Sequence, residues 1–402
     1  MLNFTDSSYV ECCLKRLSVE IGARPAGSSS HRAAADFIAQ EMRQAGCEVL
    51  WQEYPCPDWQ ALSCQLVIAG REIPANANTH SPSCDVTGQL IPIGSYEELV
   101  NLDISGQIAV LHGDITKAGF FPKNFDYFRD EKQDQFMELL LAKEPAVIIT
   151  VSHYEGLRPA LLADSDLLVP SVTVARQEGS RLLQNPGAEA RVTIKSSSRI
   201  SRGANLIGQR SQNSSKKVVL MAHYDTVPGT PGALDNGAGI AALLLLARSL
   251  KEIPMENSLE LVAFGGEDSW YPGDALYIKE YPPDDVIAAI NIDGIGLKNC
   301  NTTLAAFACS EPLTNRVMDL ANKYGSYVAE PFYESDHGFF WPLGIPTLAF
   351  TTSQYIMNLL GVIVHTEHDT LDNLDLEKIE QTVDLVKDII LMLDKEPGLL
   401  DK

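Results

Sequence analysis

The stretch 218–250, VVLMAHYDTVPGTPGALDNGAGIAALLLLARSL, constrains the fold more than any other part of the chain. It opens on an unbroken apolar run, and such a run bounded by turn residues fits a buried parallel strand. His223 and Asp225 stand at the strand's end, a Pro/Gly-rich loop follows, and then come Asp235, Asn236 and Gly237. A helix of small and apolar residues is expected from about Gly239 to Leu250. A histidine and an acid where a strand gives way to a loop occupy the place at which open α/β sheets hold ligands. His223 can offer an imidazole nitrogen to a metal, and Asp225, on the same side of the extended backbone, can orient that imidazole. Asp235 has two oxygens, enough to bridge two ions. Each residue alone also fits a blander role: a buried histidine, a loop aspartate, a helix N-cap.

The α/β rhythm continues downstream. SLELVAF (258–264) reads as a strand ending in Gly265-Gly266-Glu267-Asp268, and VIAAINI (286–292) as another ending in Asp293-Gly294. Residues 311–324 read as a helix, IPTLAF (345–350) as a strand, and 376–393 as a long amphipathic closing helix capped from 372–375. Between the last two lies VHTEHDTLDN, with His365 and His368. Successive strand ends thus deliver His223, Asp235, Glu267, Asp268, Asp293, and His365 or His368. This nitrogen and oxygen donor set suits a pair of zinc-like ions. Of two adjacent carboxylates, one can ligate while its neighbour stays free as a base. Two metals together lower the pKa of water and polarise a scissile carbonyl.

The rest of the chain has a different texture. Near the N-terminus two helices are expected, 10–21 and 31–45, separated by GARPAGSSS and followed by a strand in CEVLWQEY. Between Cys56 and Ser198, short β-like runs (QLVIAG, GQLIPIG, GQIAVLHG, PAVIITVS, PSVTVA) surround one helical piece, 133–143. No convergent set of ligands is visible there, and His80, His112 and His153 read as surface or packing residues. The polar stretches SSSRISRG and QRSQNSSKK read as connections back to the organising strand. The expected architecture is a doubly wound, mostly parallel α/β domain from residues 1–55 and 200–402, with a β-rich domain, 56–199, inserted.

Charge narrows the function. Thirty-one basic against 53 acidic residues, a net charge of −22, exclude nucleic acid and an anionic membrane surface as partners. No signal peptide and no run of about 18 apolar residues is apparent. The eight cysteines, with no Cys-x-x-Cys pair, are expected to be reduced thiols, and the cytoplasm is the expected location.

Several segments together resemble the co-catalytic zinc aminopeptidase family that includes aminopeptidase Y and glutamate carboxypeptidase II. They are AHYDTVPGTPGALDNGAG, FGGED, NIDGIG, SDHGFFWPLGIP, VHTEHDT and the opening IGARPAGSSSHRAAADFIAQEMRQAGCEV. Residues 56–198 resemble, more weakly, the protease-associated domain of some members. The resemblance implies a zinc-exopeptidase fold and two divalent ions, most simply zinc. His223, Asp235 and Asp293 would surround one ion, and Asp235 would bridge to a second held by Asp268 and His365. Glu267 would be the general base and Asp225 would orient His223. His365 is preferred to His368 because the family's His-Thr-x-x-Asp-Thr begins there. Asp336 and His337 would border the substrate pocket. One departure stands out: most relatives have Glu-Glu where this chain has Glu267-Asp268, so the second ligand is one methylene shorter.

The expected activity is hydrolysis of N-terminal peptide bonds by a metal-activated water. A carboxypeptidase, dipeptidase or amidohydrolase on the same scaffold and a non-catalytic binding protein of the same fold remain alternatives. In the dinuclear dipeptidases the His-x-Asp comes early and a lid interrupts the later ligands; here 222 residues precede His223, and the 71 between Asp293 and His365 are too few for a sizeable lid. Glutaminyl cyclases lack the His-x-Asp histidine that is present here. A peptide is the expected partner. Side-chain preference, tied to loops 269–274 and 353–360, and the choice between monomer and homo-oligomer stay open.

Overall fold

The computed structural model describes residues 6–123, 130–212, 214–269, 273–329, 333, 335–352 and 362–400. They form two compact units, Met1–Cys56 with Ser201–Lys402, and Pro57–Ile200.

In chain order, α1 (Asp6–Leu14) runs into a wider turn, Lys15–Ile21, and is followed by α2 (Ser29–Gln44) and β1 (Glu48–Ile68). Next come β2 (Arg71–Ile73), β3 (Asn76–Ala77), β4 (Cys84–Ile93), α3 (Tyr96–Asn101), β5 (Ile108–Leu111) and α4 (Glu131–Ala142). β6 (Val147–Val151), β7 (Ser171–Val174), α5 (Arg176–Leu183) and β8 (Glu189–Arg210) follow. The chain then continues through β9 (Lys217–His223), α6 (Ala238–Leu250), β10 (Ser258–Phe264), α7 (Gly273–Glu280) and β11 (Val286–Ile292). β12 (Thr303–Phe307), α8 (Glu311–Lys323), β13 (Tyr327–Val328), β14 (Thr347–Thr351) and α9 (Leu376–Lys395) complete it.

In the first unit the strand order is β13-β12-β14-β11-β9-β10, with the end of β8 antiparallel to β10. β14, β11, β9 and β10 run parallel, while β12 is antiparallel to β14. From β9 the chain winds out to β10 and then returns to β11 on the other side. The order therefore reverses at β9, and a crevice opens at the strands' carboxyl ends. Phe264 lies opposite His223 and Asn291 opposite Met221, so the residues just beyond β10 and β11 flank the end of β9.

Local chemistry sets the helix boundaries. The Ser28 hydroxyl accepts the N–H of His31 at 3.0 Å, Ser310 accepts that of Leu313 at 3.2 Å, and Asp375 accepts that of Glu377 at 3.2 Å. At the start of α6 the Asn236 side-chain oxygen accepts the N–H of Gly239 at 2.9 Å, and nearly all of the helix is buried. Fully burying one of its leucines, such as Leu243, contributes roughly 1.5–3 kcal/mol. Small residues let it approach the sheet closely: a Cβ on Gly239 would stand 2.2 Å from the carbonyl oxygen of Ile292. Contrary to the expectation that no such run exists, Ala233–Leu250 is long and apolar enough to cross a membrane; 89% of it is buried inside the protein. It packs against α1, α2, α9 and β9.

The second unit differs from the mostly β module expected. β4, β5, β6 and β7 are parallel, with β3 antiparallel to β7 and the start of β8 antiparallel to β4. α3 and α5 accompany the expected α4. At 6 and 8 residues they are too short for helical periodicity to show in the sequence. SSSRISRG, expected as a connection, lies within β8, whose residues 197–202 are mostly exposed and so lack the apolar alternation that marks a half-buried strand.

Candidate metal centre

The crevice gathers its side chains from five segments of the first unit. β9 delivers His223, which has no exposed surface. The loop after it reaches Asp235 and Asn236. The Asn236 amide donates to Ile292 O at 2.9 Å, and its oxygen accepts Gly239 N at 2.9 Å, tying the loop to β11 and α6. Glu267 and Asp268 follow β10, Asp293 follows β11, and His365 comes from the segment between β14 and α9. His365 has a left-handed φ of 63°, a conformation that costs about 1–3 kcal/mol and persists where surrounding contacts impose it.

The central feature is the Asp235 carboxylate. One oxygen lies 3.0 Å from His223 Nε2, and the other 3.3 Å from His365 Nε2. His223 Nε2 also faces Asp293 at 3.5 Å and Glu267 at 3.8 Å, and His365 Nε2 faces Asp268 at 2.8 Å. Donors on one tetrahedral zinc, each roughly 2.1 Å from it, stand roughly 3.4 Å apart, and the observed spacings bracket that value. Neither ring nitrogen of His223 makes a hydrogen bond, nor does Asp268 Oδ2, although all are buried. Buried polar atoms without partners are costly, and cations in the cluster would satisfy His223 Nε2 and Asp268 Oδ2, leaving Nδ1 to face Asp225. The donors gather into two groups that could each hold an ion, His223 with Asp235 and Asp268, and His223 with Glu267 and Asp293, and His365 joins the first through Asp235 and Asp268. The resemblance instead implies His223, Asp235 and Asp293 around one ion and Asp235, Asp268 and His365 around the other. The shorter Asp268 still reaches its place beside His365.

The electrostatics point the same way. Burial opposes a charge on His223, yet Glu267, Asp293, Asp225 and Asp235 outweigh it and raise its pKa well above normal. Burial would likewise raise the Asp235 carboxyl, but the two imidazoles hold it below the ordinary range. Burial, with the charge of Asp235, pushes Asp268 up to about 6. Glu267 is pushed well up by its recessed position, with Asp268, Asp293 and Asp336 adding and His223 opposing. So many crowded carboxylates resist ionising together, and divalent cations relieve that repulsion.

Some expected residues are placed differently. Asp225 Oδ1 lies 3.6 Å from His223 Nδ1, beyond hydrogen-bond reach. Its oxygens also accept the backbone N–H groups of Glu267 at 3.0 Å and Ser269 at 2.9 Å, so it shapes the acidic loop while its charge stands beside the imidazole. Asp336 and His337, expected to border a pocket, have no exposed surface, because residues 336–339 pack on β9, β11, β14 and α7. His337 Nδ1 lies 3.2 Å from the Asn291 amide. His368 is exposed, outside the cluster. In the loops tied to side-chain preference, 270–272 and 353–360 lie outside the described residues.

Other contributors went unanticipated. Ser335 Oγ donates to Asp293 Oδ2 at 2.8 Å and accepts the Asn291 amide at 3.0 Å. Asp369 accepts the N–H groups of Leu234 at 2.7 Å and Asp235 at 3.0 Å. Arg24, also fully buried, donates to carbonyls of the loop between His223 and Asp235. The Asp of His-Thr-x-x-Asp-Thr could have signalled Asp369; nothing local signals Arg24.

Residues 205–390 match the model of Peptidase family M28. Over 97% of its length the chain is 26% identical to Aminopeptidase YwaD of Bacillus subtilis (strain 168), spanning 86% of that protein. It is 25% identical to Probable lipoprotein aminopeptidase LpqL of Mycobacterium tuberculosis over 65% of its own length, and spans 52% of that one. The crystal structure of BSAP, a zinc aminopeptidase from Bacillus subtilis, shares the fold with a TM-score of 0.78 at 24% identity, over 97% of this chain and 96% of that one. An aminopeptidase from Aneurinibacillus sp. strain AM-1 does so at 0.75 and 22%, over 96% and 94%. Residues 205–390 thus resemble peptidase family M28, which is co-catalytic zinc aminopeptidase-like, and the chain is a zinc metallopeptidase.

Proposed function

We propose that this protein is a dinuclear zinc aminopeptidase that removes N-terminal residues from peptides, with Glu267 as its general base. The observation that carries this reading is the split between the two adjacent acids at the end of β10. The Asp268 side chain is 3% exposed and turned to His365, whereas Glu267 is 24% exposed and stands across from His223. The closed-in acid is placed to ligate and the open one to meet water and substrate. Zinc ions in the two positions supply Lewis-acid polarisation of the scissile carbonyl and a lowered pKa for water. Glu267 takes one proton from the attacking water as the new C–O bond forms. It returns that proton to the leaving nitrogen as the C–N bond breaks. Ser335 holds Asp293 and Asp225 holds the backbone of Glu267, so ligand and base are both fixed from behind.

Attack from the N-terminal side is supported by the relatives, which are named aminopeptidases. Among the described residues, the metal-type clusters all lie in the first unit. We therefore read Pro57–Ile200 as a protease-associated-like insert outside the chemistry. The test is amino-acid release from matched free and N-acetylated peptides by the zinc-loaded protein. Release from free N-termini alone is expected; cleavage of the blocked set from the other end would make the enzyme a carboxypeptidase.

A further inference from the structure

The loop between His223 and Asp235 has eleven residues, including Pro228, Gly229, Pro231 and Gly232, and regular structure touches only its last two, Ala233 and Leu234, at the start of a wide turn, Ala233–Gly237. Its carbonyls converge on one guanidinium. Arg24 Nε donates to Tyr224 O at 2.5 Å, Nη1 to Pro231 O at 2.6 Å, and Nη2 to Gly232 O at 2.8 Å. The Arg24 backbone N–H adds a bond to Thr226 Oγ1 at 3.0 Å. One planar fork therefore grips both ends of the loop, at Tyr224 beside His223 and at Gly232 shortly before Asp235. Arg24 has no exposed surface and, among the described residues, forms no ion pair. Its charge instead faces Asp369, Asp225, Asp268 and Asp235 through space. Asp369 supplies a second grip. It comes four residues after His365, and its carboxylate holds the N–H groups of Leu234 and Asp235.

We propose that Arg24 is a positioning residue for the metal pair: its guanidinium sets the loop that spaces His223 from Asp235, and Asp369 locks the far end. The proposal rests on the two-zinc reading of the site. A rigid planar fork presents three separate nitrogens to three carbonyls spread around it, whereas an ammonium concentrates its three donors on one atom at the end of a flexible stem. Without the fork, His223 and Asp235 keep their identities but lose their preset separation, and binding must then order the loop.

The test uses the intact protein. Zinc stoichiometry and affinity are measured by chelator competition for wild type, Arg24→Lys and, as a control, Leu243→Ala, which weakens the core and removes none of the hydrogen bonds that hold the loop. Wild type is expected to hold two zinc ions. Arg24→Lys, which keeps the charge and loses the fork, is expected to bind zinc about 10–100-fold more weakly, as loss of a group that orients metal ligands does. Its kcat should fall more than its KM changes, and Leu243→Ala should keep wild-type affinity. Unchanged zinc affinity in Arg24→Lys, or an equal loss in Leu243→Ala, overturns the proposal. If Arg24→Lys does not fold, Asp369→Asn decides: about tenfold weaker zinc binding supports the double grip and unchanged binding overturns it. A wild-type protein that takes up no zinc removes the metal reading itself, and this inference with it.

Discussion

Both units carry parallel strands that end near histidines, yet the histidines live in opposite chemistry. In the second unit His153, just past β6, is exposed and its Nε2 bonds to Gly113 O at 2.9 Å. His112, just past β5, packs where a side chain on Gly94 would stand. In the first unit His223 is fully buried, neither ring nitrogen hydrogen-bonds, and three carboxylates lie within 3.8 Å of its Nε2. A strand end is therefore only a location. What makes a site is a set of donors whose demand for partners the protein does not meet.

The largest effect that sharpens this contrast is expected from Glu267→Gln. Turnover should drop about 10²–10⁴-fold, the usual share of a general base, while zinc content stays at the wild-type level. Wild-type turnover in that variant would remove Glu267 from its role. Acid should act on both units alike. Burial lowers His31 in the first unit and His80 in the second to about 4. Each unfolded histidine binds a proton near pH 6.5 that its folded counterpart refuses until about pH 4. Stability is thus complete above about pH 6.5 and declines as pH falls through that window, by roughly 3 kcal/mol for His31. Urea unfolding of metal-free wild type and His31→Phe at pH 7 and pH 4.5 checks the sign. Parallel losses in the two proteins would exclude His31 as the cause.

Smaller effects should separate the units. Gly179 lies in α5, and a Cβ there would stand 2.1 Å from Val151 Cγ1. Gly179→Ala should cost about 1–3 kcal/mol by overpacking, read as a lower melting temperature, with zinc affinity untouched. His153→Ala should change stability by no more than about 0.5 kcal/mol and leave zinc binding and activity alone. A zinc defect in either variant would break the division between the units.

Much of the first unit was readable because its signals are local. SLELVAF and VIAAINI are apolar runs closed by Gly and Asp, and both are strands over those residues. Ser28, in GARPAGSSS, announces α2, and a crevice with acids at each strand end follows from the α/β rhythm. The two short helices of the second unit carried no period to read. The exposed middle of β8 is polar because it faces solvent, which is how a loop also looks. Within the site, the two-residue spacing of His223 and Asp225 placed the acid beside the imidazole but gave no sign of its grip on the backbone of Glu267 and Ser269. Arg24 was illegible for a plainer reason. Its partners are carbonyl oxygens 200 and more residues away, and a carbonyl leaves no mark in a sequence.

On the proposed mechanism Asp235 bridges two zinc ions while Glu267 binds neither. Anomalous diffraction at the zinc edge, from crystals of the intact protein, tests it most directly. Two peaks are predicted on either side of the Asp235 carboxylate, one beside His223 and Asp293 and the other beside His365 and Asp268, with Glu267 outside both. A single peak, or Glu267 taking the place of Asp268 as a ligand, would contradict it.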